Sequence, residues 1–191
     1  GEDDRWLRAL PEFHVGGFGV EVRSWIRGLE AEVLEGRWDA GRFCDVVEDG
    51  IGWTSLVPAQ LADVLASGRR GPDGLHGIVV GGGSLDPRLA ELARALGWPV
   101  VGSYGMTETG SQVATGMPRM PGWGGLRPLQ GWSFRLDGDR LELRGEALAA
   151  RVLERDGDGR WRSRELADSE GWFQTSDRVE IGPDGELRWL G

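Results

Sequence analysis

The run Val100–Thr109 (VVGSYGMTET) packs hydroxyls, one aromatic ring, a glycine and a carboxylate into a single short stretch. Tyr104 is the only tyrosine in the chain. A ring can stack on a base, hydroxyls and backbone N–H groups can meet phosphate, and the Glu108 carboxylate can hold Mg²⁺. The apolar pair Val100 and Val101 predicts a strand that breaks at Gly102 into a loop bearing these groups. A plainer reading makes the stretch a strand-to-helix turn, with Thr107 as N-cap and Glu108 favoured by the helix dipole. A second candidate is the triplet Gly81, Gly82 and Gly83, which ends one predicted strand just before a helix. Glycine there lets a flat ring or a phosphate approach the main chain. No Lys-Ser/Thr pair follows, so this is not a P-loop.

The segment Tyr104–Thr115 (YGMTETGSQVAT) resembles the adenylate-binding loop of the AMP-forming acyl- and aryl-CoA synthetases, the adenylate-forming ligase superfamily. Further similarities follow in the right order. Leu10–Gly17 (LPEFHVGG) resembles the segment entering the acid pocket, and Thr54–Leu61 (TSLVPAQL) the next strand and helix. Val79–Leu85 (VVGGGSL) resembles the loop lining the adenine site, and Gly171–Asp177 (GWFQTSD) the motif whose aspartate grips the ribose. Ser111, Gln112 and Thr115 carry a narrower resemblance, to the branch acting on o-succinylbenzoate.

That resemblance implies a set of roles. Gly81, Gly82 and Gly83 would line adenine, and Ser103, Tyr104, Gly105 and Met106 would bind the nucleotide, with Tyr104 stacked on the base. Thr107 would hydrogen-bond the α-phosphate and Glu108 would hold Mg²⁺, the two forming the catalytic pair. Asp177 would accept from both ribose hydroxyls; the family commonly has glycine where Ser176 stands. His14 would lie near the acyl pocket and the pantetheine tunnel, although by itself it reads as a structural histidine. Ser111, Gln112 and Thr115 would contact the acid, with Arg23 as a charged partner for its second carboxylate. ATP, Mg²⁺, CoA and a small carboxylic acid are the implied ligands, with AMP released.

Composition narrows the alternatives. A net charge of −9 argues against nucleic acid or an anionic membrane as partner. The longest apolar runs fall far short of the roughly 18 residues a membrane span needs, and the acidic start Gly1–Arg5 is unlike a secretory signal. Cys44 is the lone cysteine, which fits a reducing cytoplasm and a buried filler. All 22 basic residues are arginine. Family members use a lysine on a small C-terminal domain to form the adenylate, and arginine is a poor substitute for that compact charge. By the resemblance, the chain starts after the family's phosphate loop and ends near the hinge to the lysine domain. It would then act alone only poorly, or serve as an adenylate-binding module that pairs with itself or a complementing fragment.

The elements that must position these groups alternate strand and helix up to residue 117, which predicts a parallel α/β layer. Val22, Trp25, Ile26 and Leu29 recur at helical spacing. Asp39 and Asp86 are set to cap helices, the second with Pro87 in its first position, and Leu89, Leu92, Ala93 and Leu96 make that helix's inner face. Residues 116–131 read as a Pro/Gly connector. After it the period changes to two, with turns at Asp137–Asp139, Asp156–Gly159 and Pro183–Gly185, and the β-rich part as a whole is read as 118–191. That half is expected to be a small antiparallel, barrel-like subdomain. Asp156 does not open a calcium loop, because the twelfth position would be Ala167.

Overall fold

A computed structural model describes residues 5–116 and 125–190. The chain alternates β1 (Trp6–Arg8), α1 (Val15–Ile26), β2 (Glu32–Val33), α2 (Ala40–Glu48), β3 (Trp53–Leu56), α3 (Pro58–Ala66), β4 (Gly77–Val80) and α4 (Pro87–Ala95). It then enters β5 (Val100–Met106), β6 (Ser111–Thr115) and β7 (Arg127–Pro128). These strands form one sheet in the order β2-β1-β3-β4-β5-β6-β7. Its first five strands run parallel, and β6 and β7 are antiparallel additions. The α/β expectation holds, with the correction that the sheet is mixed.

Chain order reverses direction around β1, since β2 lies on one side of it and β3 on the other. In open α/β sheets a cleft forms beyond the carboxyl ends of strands at such a point. The core beneath is made by Leu7, Phe43, Leu56, Leu61 and Ile78, all essentially inaccessible to water. Fully burying each such side chain is worth about 1.5–3 kcal/mol. Helix ends follow the caps expected of them: Asp39 accepts from the Arg42 N–H and Asp86 from the Arg88 N–H. Cys44 is buried in this core, and burial pushes its thiol pKa up, as suits a filler.

Two helix faces differ from expectation. On α1 the buried residues are Gly17, Val20 and Ser24, while Trp25 and Ile26 face outward, 78% and 71% exposed. Gly17 explains the choice of face, because a Cβ there would lie 2.2 Å from the Pro11 carbonyl oxygen. Only a residue without a side chain lets this helix pack so close. On α4, Ala93 is buried but Leu92 is exposed.

The remaining strands are β8 (Trp132–Asp137), β9 (Arg140–Gly145), β10 (Arg151–Arg155), β11 (Trp161–Glu165), β12 (Phe173–Ile181) and β13 (Leu187–Trp189). Four of them form the antiparallel sheet β13-β12-β9-β8, and β10 and β11 pair alone as a hairpin. All three predicted turns join antiparallel neighbours. A second core of Val113, Leu141, Leu143, Val179 and Leu187 knits this sheet to the β5–β6 hairpin. The proposed boundary at 117/118 and the middle of the expected connector, 117–124, lie outside the described residues. No helix of the described residues is long and apolar enough to cross a membrane.

Candidate active site

Tyr104 sits within β5, so the expected loop after Gly102 is extended strand. Nor does a helix follow. Thr107–Thr109 makes one 3-10 turn whose N-cap is Met106, and β6 returns antiparallel. The turn is fastened by Thr109, whose Oγ1 accepts from the Met106 N–H at 3.1 Å and lies 2.9 Å from the Met106 and Ser111 carbonyl oxygens. Gly105 is needed in the hairpin because a Cβ there would stand 1.9 Å from the Ser111 oxygen. Ser111 takes φ 126°, the one positive value at a non-glycine among the described residues. Backbone of this kind costs about 1–3 kcal/mol and gathers where a chain must aim its groups.

Above the carboxyl ends of β4 and β5 lie two cavities that share Gly82, Ser103 and Gly105. The larger, about 640 Å³, is bounded by Gly83, Tyr104, Met106, Asp177 and Trp189 as well. Gly82 and Gly83 of the glycine triplet, Tyr104 and the distal aspartate therefore meet in one cleft, although their sequence positions span almost a hundred residues. Tyr104 Oη donates to Asp177 Oδ2 over 2.5 Å, and Trp189 Nε1 donates to Asp177 Oδ1 over 3.5 Å. Burial, and then the bond to Asp177, push the Tyr104 pKa well above the ordinary phenol range. The phenol is thus a neutral donor at any working pH.

The smaller cavity, about 310 Å³, is bounded by His14, Arg23, Thr107, Ser111 and Gln112, with Gly81 at its side. Apolar wall comes from Leu10, Val15, Leu56 and Val79. Arg23 was expected on α1, where arginines usually face solvent, yet it turns inward. Its guanidinium lies over the Trp6 ring at 5.5 Å and its Nη2 donates to Gln112 Oε1 at 3.4 Å. Gly19 opens this route, since a Cβ there would stand 2.9 Å from Arg23 Nη1. Among the described residues Arg23 has no carboxylate partner. Burial lowers its pKa, yet a guanidinium still keeps its proton.

Two expected site residues stand apart from both cavities. Thr115 turns its hydroxyl to the Gly102 and Gly116 carbonyl oxygens. Glu108 is half-buried on the 3-10 turn, and its backbone oxygen accepts from the Ala149 N–H at 2.7 Å, but its side chain bounds neither cavity. His76, the other of the two histidines, is exposed on a loop. No cluster of three or more His, Cys, Asp or Glu that could hold a metal ion exists among the described residues. Arg188 and Trp189, which bound the larger cavity, gave no sequence signal beyond the alternation of an edge strand.

Similarity to known proteins agrees with this geometry. The model of the AMP-binding enzyme family matches residues 1–142. Among curated relatives, the chain is 34% identical over 201 residues to the 2-succinylbenzoate–CoA ligase of Bacillus licheniformis, covering 97% of this chain and 41% of that protein. It is 32% identical over 203 residues to the ligase of the same name from Geobacillus sp., with 97% and 40% covered. The fold superimposes on o-succinylbenzoate CoA synthetase from Bacillus subtilis in complex with its acyl-adenylate intermediate, with TM-score 0.85 and 28% identity over 100% of this chain and 52% of that one. The same enzyme with ATP and magnesium ion gives TM-score 0.82 at 28% identity, covering 100% and 42%. The chain thus spans about 40% of the length of the curated relatives it matches. On its matched residues and its fold, it belongs to the AMP-binding enzyme family of adenylate-forming ligases.

Proposed function

We propose that this chain is the adenylate-cradling part of an acid–CoA ligase that activates o-succinylbenzoate, or a related aryl or acyl acid. One observation carries the reading: a cleft bounded by Gly83, Tyr104 and Asp177 adjoins a chamber bounded by the half-buried Arg23, which has no carboxylate partner among the described residues. Adenine would lie along the Gly82–Gly83 main chain against the Tyr104 ring, with the ribose hydroxyls donating to Asp177. The linkage between acid and phosphate would then fall at the shared residues Gly82, Ser103 and Gly105, with Thr107 donating to a phosphate oxygen. In the smaller chamber, Arg23 and Gln112 suit a second carboxylate, Ser111 adds a neutral donor, and His14 stands at the wall.

The chemistry is two displacements. A carboxylate oxygen attacks the α-phosphorus of ATP, forming a C–O–P linkage as pyrophosphate leaves. The CoA thiolate then attacks the acyl carbon, forming the thioester as AMP leaves. Magnesium, when bound, neutralises charge on the phosphates. A single protein carboxylate with phosphate oxygens and waters suffices for that ion, and Glu108, next to Thr107 on the 3-10 turn at the edge of the smaller chamber, is the carboxylate that would hold it. The chain's own residues bind and orient. They include no lysine to place a compact positive charge on the reacting phosphate, and losing one such preorganised group commonly costs about 10²–10³-fold in rate.

The reading is tested by calorimetry with AMP and a non-hydrolysable o-succinylbenzoyl-adenylate mimic, alongside a turnover assay with ATP, Mg²⁺, CoA and o-succinylbenzoate. Binding of both ligands with little thioester is expected; failure to bind either overturns the assignment. A second reading, a docking module completed by another polypeptide or copy, is favoured by one patch. Phe13, Phe18, Trp25 and Ile26 are all more than half exposed on α1 and the turn before it. Apolar residues gathered in this way mark association surfaces. Light scattering of the isolated chain separates a monomer from a self-associating one.

A further inference from the structure

The larger cavity has an aromatic wall that the proposed roles leave unused. Trp189 lies on β13 directly opposite Val179 of β12, two positions beyond Asp177. Its neighbour Leu187 on the same strand face is buried in the second core and anchors the strand. The indole itself is 48% exposed, bounds the cavity, and aims Nε1 at Asp177 Oδ1 over 3.5 Å. The opposite carboxylate oxygen is held far more closely by the Tyr104 hydroxyl, at 2.5 Å. Asp177 therefore has a donor facing each oxygen, one close and one at the long limit of hydrogen bonding. The phenol fixes one firmly, and the indole steers the other while leaving it lone-pair capacity.

We infer that Trp189 is a positioning residue for ribose recognition, orienting the Asp177 carboxylate so that Oδ1 meets the 2′- and 3′-hydroxyls of an adenosine 5′-monophosphate group. This rests on the nucleotide reading of the cleft above and adds a residue and a selectivity to it. A carboxylate pinned at Oδ2 alone can still swing about its Cβ–Cγ bond. The second donor removes that freedom, so the sugar does not have to order the acceptor as it binds. The indole ring also closes the side of the cleft beside the sugar, where water would compete for the same oxygen.

Titration calorimetry of the unaltered chain and of Trp189→Phe, each with AMP and with 2′,3′-dideoxy-AMP, tests this. Phenylalanine keeps a ring against the cavity and removes only the N–H. The expected result is a loss of AMP affinity of about threefold to tenfold, the worth of one hydrogen bond, with affinity for the dideoxy nucleotide unchanged. The preference for ribose therefore shrinks. If the preference stays the same or grows, whether both affinities fall together or neither moves, the positioning role is overturned while the nucleotide reading stands. If the unaltered chain binds no AMP, both fall.

Discussion

The Tyr104 phenol and the Asp177 carboxylate, 73 residues apart in sequence, are joined by a 2.5 Å hydrogen bond. It ties a strand of the mixed sheet to a strand of the antiparallel sheet across the mouth of the cleft. On the proposed reading, base recognition and sugar recognition would be coupled through it. Removing the ring by Tyr104→Ala is expected to weaken AMP binding by about 1–3 kcal/mol, the range for base–aromatic stacking. Tyr104→Phe, which keeps the ring, loses only the hydrogen bond to Asp177, about 0.5–1.5 kcal/mol. Calorimetry of the two variants side by side checks this, and equal affinity in Tyr104→Ala would show that the ring only packs.

The same bond has a pH signature. The phenol pKa is raised by folding above its unfolded value near 10. Its contribution to stability is therefore fully present below about pH 10 and is lost as the pH rises from there toward the folded value. With no lysine and a single tyrosine, few other groups titrate in that window. Phenolate absorbance is expected to appear only as the chain unfolds, and Tyr104→Phe should flatten the alkaline fall in unfolding midpoint. Phenolate forming near pH 10 in the folded chain would contradict this.

Arg23 is expected to set the acid. Arg23→Met keeps length and apolar stem while removing the charge, so a ligand bearing a second carboxylate should lose about 1.5–3 kcal/mol, the value of a charge-assisted hydrogen bond. A benzoyl-adenylate mimic, which lacks that group, should bind the variant as it binds the parent. Competition between the two mimics reads the difference, and equal losses for both would remove Arg23 from acid recognition.

Gly105→Ala drives a methyl into the Ser111 carbonyl oxygen, against backbone that cannot yield. A destabilisation of about 1–3 kcal/mol or more is expected, seen as a lower urea midpoint with AMP affinity lost alongside. Gly74→Ala, where a Cβ meets nothing within 4 Å, is the matched control and should leave both unchanged.

Asp39 and Asp86 were legible as helix caps because a short carboxylate before an apolar-periodic run has one local use. The glycine triplet, Tyr104 and Asp177 were legible as a set through motif order, not through local chemistry. What failed was anything decided by close approach. Hydrophobic periodicity put Trp25 and Ile26 inside α1 because it scores large apolar residues and gives Gly17 and Ser24 no weight. Yet contact with the Pro11 carbonyl selects the face with the smallest residues. Thr107 looked like an N-cap because its neighbours suit a helix; Gly105 and the strained Ser111 instead allow the tight reversal into β6, which no window on helix propensity detects. Arg23 lies beside Gly19 one turn earlier, where the missing Cβ leaves room for the guanidinium, a vacancy that periodicity does not score. Trp189 carried no signal at all, since alternation along an edge strand says nothing of which cavity that edge borders.

The two chambers meet at Gly82, Ser103 and Gly105, where main chain rather than bulky side chains forms the passage. On the proposed reading, acid preference would rest on replaceable groups such as Arg23 and Gln112, while Gly82, at positive φ, and Gly105, against the Ser111 carbonyl, resist side chains. Relatives with the same throat can thus diverge in the acid they accept by exchanging residues of α1 and β6 alone. A redesign for a new substrate would begin there, leaving the nucleotide half untouched.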